Sequence, residues 1–115
     1  YNLLNVFLIT PQTSEERIRF IDSVSNGFIY MVSSASVTGS SKGFGEETTK
    51  YFERISKMNL ENPQIVGFGI SDHETFSQAT KFAKGAIIGS AFIKDLDKNG
   101  IGNISKFVSS IRPLT

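Results

Sequence analysis

The sequence predicts an α/β fold in which four β–α units build one parallel sheet. Apolar runs of strand length alternate with segments of helical hydrophobic period along the chain. The strands are apolar on both faces, which is typical of parallel strands that are covered on both sides. Two strands end in glycine turns that lead directly into helices, at Gly67–Ser71 and at Gly89–Ala91. Together these features predict right-handed β–α–β crossovers.

The first unit is predicted to join a strand over Leu3–Ile9 to a helix that begins near Thr13. Thr13 and Glu16 have the spacing of a capping box, in which each residue satisfies a backbone N–H of the other. Asn26-Gly27 is a typical helix stop. One face of this helix carries three apolar residues that we expect to point inward: Ile18, Ile21 and Val24.

The second unit is predicted to contain a strand over Phe28–Val32 and a helix over Glu46–Met58. The Ser/Gly-rich loop Ser33–Gly45 joins them, and we expect it to be mobile without ligand. The helical period predicts three inward residues: Tyr51, Ile55 and Met58.

The third unit combines a strand over Gln64–Gly67 with a helix opened by a second capping box, Ser71 with Glu74. Its expected inward residues are Phe76, Ala79 and Phe82.

The fourth unit begins with a strand over Gly85–Ile88, followed by a short helical turn over Ala91–Leu96 that breaks at Lys98–Gly100. A last helix is predicted over Gly102–Ile111. Its expected inward residues are Ile104, Phe107, Val108 and Ile111.

Two architectures are compatible with this organisation. A closed (β/α)8 barrel typically needs about 250 residues, so four units in a chain of 115 are close to half of one. A complete, open, doubly wound α/β domain can also be built from four or five units. The chain begins at Tyr1 without Met and with almost no lead-in to a strand, so we expect a piece of a longer protein.

Composition excludes several classes of function. The net charge of +1 is spread along the chain, so we expect no nucleic-acid partner. There is no cysteine, which excludes a disulfide scaffold and thiolate metal sites and fits a cytoplasmic protein. The longest apolar run, Val6–Ile9, is too short to span a membrane, and no signal peptide is evident.

The residues at the predicted strand ends are suited to binding rather than to proton transfer. Most of the eleven acidic residues fall in first turns of helices, on solvent faces or in loops. His73 is the single histidine, and we expect it to be an exposed helix residue. We therefore predict no catalytic residue and no metal ligand in this chain.

Backbone N–H groups at the glycine turns predict a phosphate site. Gly69, Gly89 and Ser90 each follow a strand and precede a helix, whose positive end favours an anion. Thr38 and Gly39, in the long loop, could close over the same anion. A single such turn is explained by tight βα geometry, but two in consecutive units favour phosphate binding.

The order and spacing of five segments resemble the alpha subunit of tryptophan synthase: Thr10–Arg17, Phe28–Ser33, Val37–Gly39, Gly67–Ser71 and Gly85–Ala91. The resemblance covers essentially the whole chain. It implies one domain fragment over 1–115 that forms units five to eight, the C-terminal half, of a (β/α)8 TIM barrel. It also implies the lyase reaction of tryptophan biosynthesis, in which indole-3-glycerol phosphate is cleaved to indole and glyceraldehyde 3-phosphate.

The resemblance implies roles for particular residues. Those expected to hold the substrate phosphate are Gly39, Gly69, Gly89 and Ser90. Those expected near the indole and glycerol portion are Tyr30, Phe68 and Ile87, with Thr38 in the mobile loop that closes the site. The catalytic carboxylates of the family come from the N-terminal half, and no position here matches them, so we expect this chain alone to be inactive. The family loop often carries Arg and Gly where this chain has Ser34 and Ser36.

The resemblance also implies partners. These are the substrate, the tryptophan synthase beta subunit, which carries pyridoxal phosphate, and the missing N-terminal half-barrel. No cofactor is expected in this chain. Exposed edges at Leu3–Ile9 and Gly85–Ile88 predict self-association of the free chain. Two other interpretations of the chain's function are kept as alternatives. In the first, the chain is a non-catalytic half-barrel that binds phosphate. In the second, it is half of another phosphate-binding TIM-barrel enzyme.

Overall fold

A computed structural model describes residues 1–33 and 44–113 of the chain. The strands are β1 (Phe7–Ile9), β2 (Ile29–Val32), β3 (Gln64–Gly67) and β4 (Gly85–Ala86). The helices are α1 (Glu15–Val24), α2 (Glu46–Lys57), α3 (His73–Thr80), α4 (Ser90–Asn99) and α5 (Ile104–Ile111). A 3-10 turn, Ile101–Asn103, joins α4 to α5. The predicted alternation of strands and helices is confirmed.

The sheet is parallel throughout, and its strands lie in the order β1-β2-β3-β4. A doubly wound sheet reverses its strand order at a switch point, and this sheet has no reversal. The doubly wound alternative is therefore wrong. Right-handed crossovers between sequential neighbours place the connecting helices on one face of the sheet.

The core lies between that face and the helices. A row of paired residues across the sheet is fully or almost fully buried: Ile9, Met31 and Val66. Phe52 of α2 is 1% exposed and packs with Phe44 and Phe82. Burying such side chains supplies most of the free energy that stabilises the fold.

The opposite face of the sheet is more open. Its central row aligns Leu8 with Tyr30 and Ile65. Leu8 is 56% exposed, and the other two are half-buried. This row, Leu8–Tyr30–Ile65, is called the open face below.

The largest differences from the predicted elements are in β1, β4 and α4, whereas the bounds of α1, β2, α2 and α5 differ by one or two residues. β1 begins at Phe7 rather than Leu3, and β4 contains two residues, although the Ile87 N–H still donates to the Val66 carbonyl. The predicted short turn after Gly89 is a ten-residue helix, α4, that ends where Gly100 adopts a positive φ of 74°. Its ψ is 177°, and this combination of positive φ with an extended ψ is adopted almost exclusively by glycine.

Both predicted N-caps are displaced by one residue, and the structure shows a capping box at α3 but only a single cap bond at α1. Ser14 caps α1 by accepting the Arg17 N–H, whereas Thr13 accepts the N–H of Thr10 in the preceding turn. Asp72 rather than Ser71 caps α3, and it forms its box with Thr75. Neighbouring polar residues are chemically able to cap, so the path of the chain into the helix selects between them.

Three predicted inward residues are wrong. Val24 is 44% exposed, Ile104 is 37% exposed and Val108 is 54% exposed. The helical period identified the apolar side of each helix, but burial also requires a neighbouring element on that side. In α5, Ile111 is the buried residue.

Asp22 of α1 anchors the loop that leads into β3. Its carboxylate accepts the backbone N–H groups of Glu61 at 2.8 Å and Asn62 at 2.9 Å, and the Asn62 side-chain amide at 2.8 Å. Burial acts to raise the pKa of Asp22, but these hydrogen bonds and the Arg19 charge outweigh it and lower the pKa below 3.8. The folded protein therefore favours the ionised form.

The Asp22→Asn variant is expected to lose about 1–3 kcal/mol of unfolding free energy at neutral pH, because charged acceptors make the stronger hydrogen bonds. The lowered pKa means that the Asp22 contribution is complete above the unfolded value and is lost as pH falls through the folded value. Urea unfolding at a series of pH values should therefore show that the two proteins converge in acid. Asp97→Asn, at an exposed position of α4, is the matched control. A difference in unfolding free energy between the two proteins that persisted below the folded-state pKa of Asp22 would contradict this account.

None of the helices within residues 1–33 and 44–113 is long and apolar enough to cross a membrane.

Candidate phosphate-binding site

The carboxyl ends of β2, β3 and β4 lie side by side because these strands are parallel and adjacent. They bring together Ser33, the turn Gly67–Gly69 and the turn Gly89–Ser90. Ligands of parallel α/β folds bind at this end of the sheet. The structure thus juxtaposes the two glycine turns, as their positions in sequence predict.

The β3 turn has an unusual backbone. Phe68 has a φ of 69° and Gly69 a φ of 78°. Positive φ is rare for a bulky residue such as Phe68, and it marks a turn held in place by its surroundings. A Cβ atom on Gly69 would lie 3.1 Å from the Phe44 ring, so both conformation and space favour glycine.

Ser33 stabilises this turn, a role that was not predicted from the sequence. It is fully buried, and its Oγ lies 2.9 Å from the Gly67 carbonyl and 2.5 Å from the Phe68 carbonyl. Its backbone N–H also donates to Gly67 at 3.1 Å. The signal that could have identified it is a hydroxyl directly after an apolar strand, where it can reach the neighbouring strand end.

Tyr30 and Phe68 form an aromatic pair beside the turn. Their ring centroids are 6.1 Å apart in an edge-to-face arrangement. A Cβ atom on Gly67 would collide with the Tyr30 hydroxyl, so glycine at this position makes room for the ring. Phe68 remains 57% exposed, which leaves an aromatic surface available to a ligand.

The α4 N-terminus has features that favour an anion. Gly89 is its N-cap and supplies no side-chain hydrogen bond, and the first turn contains no acidic residue. Gly89 and Ser90 are exposed, and a Cβ atom on Gly89 would meet nothing within 4 Å. The first N–H groups of a helix lack intrahelical partners, and the helix dipole makes this end positive. Anions are commonly bound in this setting.

The α3 N-terminus differs from that of α4. The Asp72 carboxylate accepts the Thr75 N–H at 2.9 Å, and Glu74 adds a second negative charge in the first turn. These groups already neutralise the positive end of α3. We expected both helices to contribute their dipoles, but the geometry favours only α4, and the β3 turn offers the Gly69 backbone instead.

The remaining predicted residues are only partly described. Ile87 is 37% exposed and lies two residues before Gly89. Thr38 and Gly39 lie outside the described residues, as do Ser34, Ser36 and most of the predicted mobile loop.

His73 is exposed, as expected from its position in the first turn of a helix. Its Nδ1 lies 2.8 Å from the Ile111 carbonyl, so it links α3 to the end of α5. Among residues 1–33 and 44–113, no group of three His, Asp or Glu side chains is placed to hold a metal ion.

Comparison with known proteins identifies the family. The family model for the tryptophan synthase alpha chain matches residues 1–111. The tryptophan synthase alpha chain of Flavobacterium johnsoniae is 76% identical over 112 residues, which are 97% of this chain and 44% of that relative.

Solved structures agree with the sequence comparison. The tryptophan synthase A-subunit of Pyrococcus furiosus superimposes with a TM-score of 0.79 at 28% identity, covering 97% of this chain and 46% of that chain. A structure of the α2β2 complex from the same organism gives a TM-score of 0.76 at 28% identity, covering 97% and 45%.

The chain spans less than half the length of these relatives. The expectation of half of a (β/α)8 barrel is confirmed by the sequential sheet and by these superpositions. The chain belongs to the tryptophan synthase alpha chain family.

Proposed function

We propose that residues 1–115 form one domain, βα units five to eight of a tryptophan synthase alpha chain. In the whole protein this part would hold the phosphate of indole-3-glycerol phosphate while the substrate is cleaved to indole and glyceraldehyde 3-phosphate. The observation that carries the proposal is the open, acid-free N-terminus of α4 next to the Gly69 turn. Family membership supplies the reaction.

In this proposal, the backbone N–H groups of Gly69, Gly89 and Ser90 donate to phosphate oxygens. Gly39, from the loop outside the described residues, adds a fourth donor. The dipole of α4 stabilises the charge of the phosphate. Such binding positions the substrate, and the same energy can orient its reacting carbon atoms.

The aromatic pair is proposed to receive the organic part of the substrate. Tyr30 and Phe68 present ring edges and faces at the carboxyl end of the sheet, and Ile87 adds an aliphatic side chain directly after β4. Thr38 belongs to the loop that would close over the bound substrate. An indole ring fits such a setting because stacked or edge-to-face aromatic contacts are favourable.

Proton transfers are proposed to depend on carboxylates outside this chain. The strand ends described above present glycine, serine and aromatic groups, which bind and orient rather than exchange protons. The 115-residue chain is therefore expected to bind phosphate ligands weakly and to show no measurable lyase activity.

The proposed function is tested by titrating the 115-residue chain with indole-3-propanol phosphate and following backbone amides by NMR. The amides of Gly69, Gly89 and Ser90 should shift together. Glyceraldehyde 3-phosphate should shift the same amides with weaker affinity, and indole should affect chiefly residues near Tyr30 and Phe68. Shifts confined to other parts of the chain would overturn the assignment, and lyase turnover by this chain would refute its inactivity.

The partner and location follow the same proposal. The Pyrococcus furiosus relative was solved as an α2β2 complex. We infer that the whole protein likewise binds a beta subunit, which would carry the pyridoxal phosphate, and that it works in the cytoplasm as a tryptophan-biosynthesis enzyme. This chain needs no cofactor of its own for the proposed role.

The free chain is expected to self-associate through its open face and its edge strands, β1 and β4. Sedimentation velocity should show a species heavier than the monomer. Leu8→Lys places a charge on the open face and should shift the population toward monomer. Phe20→Lys is the matched control, because Phe20 is 54% exposed on α1. Equal effects of the two variants, or a monomer at high concentration, would contradict this expectation.

A further inference from the structure

The chain contains two Asn-Gly pairs, Asn26-Gly27 and Asn99-Gly100. Asparagine before glycine is the sequence most prone to spontaneous deamidation, because glycine has no Cβ to hinder attack by its backbone nitrogen. We propose that Asn26 is a deamidation site in the folded protein and that Asn99 is protected. Both asparagines are exposed, so exposure does not distinguish them.

The chemistry requires only the chain and water. The Gly27 backbone nitrogen, after losing its proton, attacks Cγ of Asn26. A new N–C bond closes a succinimide ring, the Cγ–Nδ2 bond breaks, and the leaving nitrogen departs as ammonia. Water then adds to one of the two ring carbonyls and opens the ring to aspartate or isoaspartate.

No hydrogen bond between described residues holds Asn26-Gly27 away from the geometry in which the Gly27 nitrogen attacks Cγ of Asn26. The pair follows α1, which ends as the Ser25 N–H donates to Asp22 and its hydroxyl to Ile21. Within residues 1–33 and 44–113, neither Asn26 nor Gly27 takes part in a hydrogen bond. Ring closure at this site therefore breaks no hydrogen bond between the described residues.

Asn99-Gly100 is held by two hydrogen bonds. The Gly100 nitrogen, which would be the nucleophile, donates to the Leu96 carbonyl at 2.8 Å. The Asn99 amide, which would be the leaving group, donates to Asp95 Oδ1 at 2.9 Å. Asn99 is also the last residue of α4. Attack at this site requires local opening of the helix end first.

Deamidation at Asn26 would affect the entry to the central strand β2. A new carboxylate would lie just beyond the negative end of α1, where a negative charge is unfavourable. Isoaspartate would also add a methylene to the main chain shortly before Ile29. Ile29 pairs with Phe7 and Gln64, and its N–H donates to Pro63 at 2.9 Å. The modification therefore acts where the register of the sheet is set.

The test is incubation of the folded 115-residue chain at neutral and mildly alkaline pH, followed by peptide mapping that distinguishes aspartate from isoaspartate. Isoaspartate should accumulate at least about tenfold faster at position 26 than at position 99. A modest free energy of local opening at the end of α4 produces this ratio. The rate should rise with pH, because the attacking nitrogen must lose a proton. In denaturant, the two sites should react at similar rates.

Gly27→Ala is the decisive variant. A Cβ atom at position 27 meets nothing within 4 Å, and this glycine has no left-handed φ, so the fold should be retained. The added methyl group hinders the attacking nitrogen and should slow modification at Asn26 without altering Asn99. Equal rates at the two sites in the folded chain, or no slowing in the variant, would overturn the proposal.

Discussion

Ser90→Glu is expected to weaken binding of indole-3-propanol phosphate at least about tenfold, which corresponds to roughly 1.4 kcal/mol. The new carboxylate would lie in the first turn of α4, where the proposed site places the phosphate, and the two negative charges would repel each other. The unfolding free energy should not decrease, because a negative charge in the first turn of a helix is favourable by about 0.3–1 kcal/mol. Isothermal calorimetry measures the affinity, and urea unfolding measures stability.

Ser105→Glu is the matched control for charge. Ser105 is exposed in the first turn of α5, which also lacks acidic residues, so both variants add one negative charge to the first turn of a helix. This variant should bind the ligand with unchanged affinity. If both variants lost affinity equally, the effect would come from net charge, and the site at α4 would be refuted.

Phe52→Ala is expected to lower the unfolding free energy by about 3–5 kcal/mol. Phe52 is 1% exposed, and its ring centroid lies 5.1 Å from that of Phe44 and 5.8 Å from that of Tyr51. Removing the ring leaves a cavity between α2 and the sheet that the backbone cannot collapse to fill. Since domains of this size are stable by about 5–15 kcal/mol, the variant should be close to unfolding.

Urea unfolding followed by circular dichroism measures this loss as a lower midpoint at unchanged slope. Phe20→Ala removes the same ring from a position that is 54% exposed on α1, and it should change the unfolding free energy far less. Similar losses in the two variants would show that Phe52 does not occupy a rigid core.

Much of the fold could be predicted from local sequence. The strand Gln64–Gly67 was predicted with its observed bounds, because Pro63 and glycine delimit a short apolar run. The helix over Glu46–Lys57 differs from its prediction by one residue, since its apolar period is strong. These strand and helix patterns depend only on residues that are close together in the chain, so they can be read directly from the sequence.

Features that depend on the surroundings could not be predicted. Val24 and Val108 have the right period for burial, but no neighbour within the described residues covers them fully. In the site, the glycine turns were predicted from their position after strands. The role of Ser33 was not, because its hydrogen bonds reach across to the Phe68 turn, more than thirty positions along the chain.

The sequential order of the strands has a consequence for how this chain folds. Each strand pairs with the next one along the chain, and among the described residues no strand pairing joins positions more than 35 apart, the separation of Ile29 and Gln64. Contact order is therefore low for a parallel sheet, and low contact order favours rapid folding. During synthesis, each new βα unit can pack against the unit that left the ribosome before it. The preceding strand is therefore already available for pairing when the next strand emerges.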